Sequence, residues 1–140
     1  MATFTLFQDF KEQLAKGVHN FGTDTFRVVL TNSAPNATHT VLTDITQISS
    51  GTGYTTGGAT STIVVSETGG TATVGNTASD VGWTASGGNI GPFNYAVWYN
   101  DSATSPLDAL VGYIDTGSIT VADGNDVTLD VGANGLFTIS

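Results

Sequence analysis

The chain contains no cysteine, so it has no disulfide framework, no thiolate zinc site and no cysteine nucleophile. Bases are nearly as scarce. Lys11, Lys16 and Arg27 face 12 Asp and Glu, and no residue after Arg27 carries a positive charge. Phosphate neutralisation needs clustered Lys and Arg, so a nucleic-acid role is not expected. An anionic membrane surface is disfavoured for the same reason. No apolar run approaches the roughly 20 residues needed to span a bilayer. The opening MATFTLFQDFKEQLAKG lacks a basic region followed by an apolar one and is not read as a secretory signal. The expectation is a soluble protein made in a cytoplasm, with its place of work left open. No GxSxG elbow, P-loop or dinucleotide fingerprint occurs, and the glycine clusters lack the Lys of a phosphate cradle.

What is present is glycine, hydroxyls and patterned apolar residues. Charged residues make up 11% of the chain, against roughly 25% in an average soluble domain, while 39% is apolar and Gly reaches 18. That composition suits a β-rich protein with many turns, made soluble by hydroxyls rather than by charge. At 140 residues the chain is long enough for one modest core, and we read residues 1–140 as a single domain.

The periodicity gives one helix followed by strands. Phe7, Phe10 and Leu14 form an apolar stripe, extended by Phe4 and Val18, and predict a helix over about 5–17. Thr5 and Gln8 fit a capping box at its start, and Gly17 a C′ stop. From residue 24 the period changes to two. TFRVVLTN (25–32) alternates Phe26, Val28 and Leu30 with Arg27 and Val29. SAPNATH reads as a loop, VLTDITQIS (41–49) as a short irregular strand, and SSGTGYTTGG as a long flexible connection. ATSTIVVSE (59–67) and TATVGN (71–76) predict a hairpin turning at Gly69–Gly70. Further strands follow at 79–86, with Val81 and Trp83 on one face, then at 109–117, 118–124, 126–132 and 135–140. Short alternating strands with turns at about ten-residue intervals predict a β-sandwich or jelly-roll-like domain with one N-terminal helix.

Candidate chemistry is thin. His19 and His39 belong to no metal-binding spacing, and we assign neither a catalytic nor a metal role. Asp123, Asp126 and Asp130 suggest a calcium loop, but their spacing does not match one, and Asp123–Gly124 suffices as a two-residue hairpin turn. Asn36–Thr38 and Asn100–Ser102 match the glycosylation pattern, which carries no weight without a secretory signal. The reading is therefore non-enzymatic, with no cofactor and no metal.

GGNIGPFNYAVWYND (87–101) concentrates aromatics. Period two, starting at Pro92, places Phe93, Tyr95, Val97 and Tyr99 on a core face and Asn94, Ala96, Trp98 and Asn100 on the other. Trp98 is then the residue to explain. It is expected under the helix stripe or at a subunit interface, the alternative being an exposed stacking platform for a sugar. Phe4, Phe7, Phe10, Leu14, Tyr54 and Trp98 are the candidate protein-interface residues, with the 50–58 loop as a further contact region.

In this order, FxxFxxxLAKGVHNFGTDTFRVVLTNSAP, WTASGGNIGPFNYAVWYND, ALVGYID and ADGNDVTLD resemble a group of small virion proteins of tailed bacteriophages, over nearly the whole length. The resemblance implies a capsid decoration or cement subunit bound to the outer face of the major capsid protein shell. A trimer is favoured because such proteins often sit on threefold positions. A glycan- or receptor-binding module of a tail or fibre, or a tail-tube or connector component, are the alternatives. A net charge of -9 is repelled by packed DNA, which agrees with an outward position on the virion.

Overall fold

A computed structural model describes residues 3–140. Strands hold 43% of the residues and helical turns 10%, which makes the domain mainly β, sandwich-like, with one helix. The elements are β1 (Thr5–Leu6), α1 (Gln8–Ala15), β2 (Phe26–Thr31), β3 (Ala59–Ser61), β4 (Val65–Thr68), β5 (Thr71–Val74), β6 (Val81–Thr84), β7 (Ile90–Asn100), β8 (Leu110–Val121), β9 (Asp126–Leu129) and β10 (Phe137–Ile139), with 3-10 turns at Leu42–Asp44 and Thr77–Ser79. They build an antiparallel five-stranded sheet in the order β1-β8-β7-β2-β3, a three-stranded sheet β10-β5-β4 and a pair β6-β9.

The helix ends as its sequence predicts but does not begin so. Gly17 (φ +79) follows the Lys16 cap, the Gly17 N–H bonds Leu14 O and the Val18 N–H bonds Gln13 O. Those two bonds make a Schellman motif. At the other end Thr5 and Leu6 are a strand paired with Tyr113 and Gly112, so no capping box forms. Phe7 is the N-cap and the Gln8 N–H bonds Ala37 O instead. Backbone pairing has displaced the local side-chain cap.

Gly69 and Gly70 (φ +61 and +89) turn the β4–β5 hairpin, with Thr68 opposite Thr71 and Val65 opposite Val74. Two positive φ values in a row are the mark of a type I′ turn. Residues 59–67 are not one strand, however. Ala59–Ser61 pairs with β2 and Val65–Thr68 with β5, so the segment passes from one sheet to another. Residues 109–121 fuse instead of splitting: the predicted break at Gly117 is a bulge, with Asp115 opposite Tyr95 and Ile119 opposite Phe93. Residues 41–49 form a 3-10 turn and isolated bridges at Val41 and Gln47 rather than a strand. Asp123–Gly124 does turn the chain, closed by the Asn125 N–H on Ala122 O, but it makes no hairpin. It joins β8 of the large sheet to β9 of the β6–β9 pair.

The connection over 50–58 is pinned, and its glycines allow close approach rather than flexibility. A Cβ on Gly58 (φ +77) would lie 1.7 Å from Val28 O, and one on Gly53 (φ +107) 2.0 Å from Thr84 O. The Arg27 guanidinium donates to the carbonyls of Gly57 (3.2 Å) and Gly58 (2.7 Å), and the Tyr99 hydroxyl donates to Gly57 O at 2.7 Å. Gly58→Ala should therefore cost more than about 3 kcal/mol, because backbone must move. Gly69→Ala, with open space around it, should cost only about 1 kcal/mol from its backbone conformation. Urea midpoints of the two variants check the contrast, and equal losses would contradict it.

Candidate functional site

Of the six candidate interface residues, Phe7, Phe10, Tyr54 and Trp98 lie within the chain's own core, at 0%, 2%, 2% and 0% exposure. Phe4 and Leu14 are half-buried and pack against that core. The Phe7 ring meets Tyr113 at 5.2 Å, and Phe10 meets His19, Phe137 and Phe21. The apolar helix stripe thus docks on its own domain.

Trp98 is covered from within. Phe4 packs edge-on against it at 5.4 Å and stacks on Phe137 of β10. The Phe4 ring can lie there because Gly112, opposite Trp98 on β8, has no side chain; a Cβ would fall 2.4 Å from that ring. The indole N–H donates to Ser61 Oγ at 3.2 Å. Ser61 passes the bond to Ser79 O (2.7 Å), and Ser79 Oγ donates to Thr62 O (2.6 Å). Trp98 is neither a sugar platform nor a surface anchor. Period two failed here because Ala96, Trp98 and Asn100 are as buried as Phe93, Val97 and Tyr99, so both faces of β7 are covered.

The hydrogen-bonded polar candidates are engaged in holding the fold. Asn36 Oδ1 accepts the N–H and the hydroxyl of Thr38, and Asn100 Oδ1 accepts the Ser102 N–H. Both glycosylation-like triplets are therefore Asx turns. Asp123 Oδ1 accepts from the Gly87 N–H between two loops, and Asp126 Oδ1 accepts from the Thr84 hydroxyl directly opposite it across the β6–β9 pair, so the two carboxylates have separate structural partners. Among the described residues no group of three or more His, Asp or Glu is placed to hold a metal. His39 Nδ1 accepts the Asn36 N–H.

His19 is the buried exception. It lies among Phe10, Phe21 and Phe26, with Nδ1 3.2 Å from the Asn100 amide nitrogen and Nε2 without a partner among the described residues. Burial pushes its pKa down to about 4, against the pull of the Asp24 and Asp9 charges. Tyr54 and Tyr99 are pushed up to about 12, chiefly by burial. Burial and then the Asp101 charge raise Asp108, which also holds a positive φ of 52.

Two features went unforeseen. The first is the outer edge of the small sheet: every residue of β4 is exposed, β4 pairs with β5 alone among the described residues, and Val64 and Val65 stand 39% and 44% exposed. The run VVSET carries the signal, since it has β-propensity with neither Lys nor Pro to blunt an edge. The second is a groove of about 440 Å³ bordered by Asn32, the 47–54 segment and the 89–92 segment. No sequence signal marks it, because it is assembled from distant loops. Comparison of the chain with protein-family models, with curated proteins and with solved structures returns no match.

Two predictions follow the core chemistry. Ser61→Ala leaves the Trp98 N–H buried and unpaired, which should cost about 1–3 kcal/mol and change the tryptophan emission, measured by urea unfolding with fluorescence. For His19, the folded pKa lies below the unfolded value of 6.5, so the unfolded chain binds more protons between the two. Its stability contribution is complete above pH 6.5 and is lost as pH falls toward 4, a change on the order of 3 kcal/mol. His19→Gln should flatten that part of the stability–pH curve relative to the parent. A curve of unchanged slope would remove His19 as the cause.

Proposed function

We propose that the chain is a non-enzymatic structural protein of a tailed-phage virion, a head decoration or cement subunit that binds the outer face of the major capsid shell. The observation that carries the reading is the free β4 edge. Its backbone is open on one side, Val64 and Val65 are exposed beside it, and Glu67 is its one charge. An unblunted strand edge is a template for pairing with another chain. By register, Ile139 of β10, 47% exposed, lies on the same sheet face as Val65.

The remaining features fit this reading. The aromatics that a glycan-binding platform would need are used in the core, which removes the support Trp98 lent to a tail adhesin. With a net charge of -9 the subunit is repelled by packaged DNA and suits the outside of a head. Subunits clamp neighbouring capsid proteins and resist internal pressure through many weak contacts. Closed homo-oligomers are the usual form of such parts, and a trimer matches the threefold positions of a shell.

Adding the purified protein to heads that lack it tests this directly. Co-sedimentation and cryo-microscopy should show uniform occupancy of the head surface. Replacing Val64 and Val65 together by Lys should lower head affinity tenfold or more without lowering the melting temperature. Decoration of the tail alone, or no binding to heads, would overturn the assignment.

A further inference from the structure

The groove beside Asn32 contains side-chain amides whose orientation is fixed by the fold. Gln47 Oε1 accepts the Gly57 N–H at 2.9 Å and the Tyr54 hydroxyl at 2.7 Å. A backbone N–H can only donate, and the Tyr54 oxygen already receives the Leu30 N–H at 3.2 Å, so the Gln47 oxygen must point inward. Asn89 repeats the device: its Oδ1 accepts the Asp123 N–H at 2.9 Å. Neither amide nitrogen has an acceptor among the described residues, and both residues border the groove. Asn32 Oδ1 is likewise taken, by the Asn94 amide.

The groove is therefore bordered by two amides whose oxygens are engaged and whose NH2 groups remain uncommitted and uncharged. Ser49 and Ser50 add hydroxyls, Ile48 and Pro92 a small apolar strip, and no charged side chain borders it. Its volume of about 440 Å³ falls in the range of small-molecule sites, roughly 300–1,000 Å³. A donor-rich, uncharged groove without an apolar pocket matches a ligand rich in neutral oxygen acceptors. We infer that this groove binds a neutral oligosaccharide, with Gln47 and Asn89 donating to its hydroxyl or acetamido oxygens. This site shares no residue with Trp98 or with β4, and the inference does not rest on the virion reading. A peptide offers one neutral carbonyl acceptor per residue against several oxygens per sugar ring, which favours the sugar at a row of amides and hydroxyls.

The test is a titration of the isolated, 15N-labelled full chain with maltotriose and, separately, with triacetylchitotriose, following the side-chain NH2 resonances. Either sugar should shift the Gln47 and Asn89 signals, with a dissociation constant on the order of 1 mM in the absence of a stacking aromatic. Response to both sugars indicates hydroxyl recognition, and response to the second alone indicates the acetamido group. Gln47→Glu and Asn89→Asp keep the inward acceptor oxygens and replace the donors. Each should therefore leave the backbone spectrum intact and weaken binding at least tenfold. The inference is overturned if neither sugar shifts these amides, if both variants bind as the parent does, or if a glycine-rich peptide shifts them and the sugars do not.

Discussion

Trp98 sits on a strand with neighbours on both sides, so its indole N–H must find a partner inside the protein. Ser61 supplies it, and much of the architecture follows from meeting that demand. Ser61 belongs to β3 at the end of the large sheet, and its own hydroxyl reaches the 3-10 turn at Thr77–Ser79 that leads into β6. Against the indole, Phe4 can pack edge-on only where Gly112 leaves room, and it stacks in turn on Phe137 of the last strand. The two ends of the described chain therefore meet over one side chain. Losing the fit at Trp98 would loosen the N-terminal strand, the sheet crossing after β3 and β10 together.

A chain with three bases cannot fasten its loops by ion pairs, and this one uses amides, hydroxyls and glycine instead. Asn20, Asn36, Asn76 and Asn100 each turn the backbone by accepting the N–H two residues ahead. Asn100 also donates to the buried His19 and the half-buried Asp24, so one side chain closes a turn and anchors the segment after the helix. The single arginine, which composition alone could assign to a surface, is committed to the carbonyls of Gly57 and Gly58. Gln47 completes the same fastening from the other side through Gly57 and Tyr54. Neutral hydrogen bonds to backbone keep their strength in salt, where exposed ion pairs are screened.

The sequence made plain those features whose signals are local. Gly69–Gly70 turned a hairpin, Gly17 stopped a helix, and the alternation of Val81 and Trp83 put both inside. What stayed hidden depended on a second layer. Period two assumes one wet face, and β7 has none over Ala96–Asn100, so Trp98 fell on the face opposite the core residues and called for a helix or a second subunit to cover it. Thr5 resembled a cap because nothing local reveals that Tyr113 lies opposite it. The 50–58 tract looked flexible because glycine signals both freedom and close approach, and only the carbonyls of Val28 and Thr84 decide between them. The groove amides were invisible for a stronger reason. An asparagine declares a donor and an acceptor, and which one faces outward is set by the N–H that takes the other.

That last point joins the two surfaces proposed above for recognition. The β4 edge offers unpaired backbone and two valines, and the groove offers amide hydrogens held by a rigid frame. Neither relies on charge, although the chain carries -9. A net acidic chain repels nonspecific partners that are acidic, including copies of itself. It leaves recognition to short-range hydrogen bonds and apolar contact, whose geometry is demanding. On the proposed reading, charge sets what is kept away, and an edge with a single carboxylate and an uncharged groove set what is held.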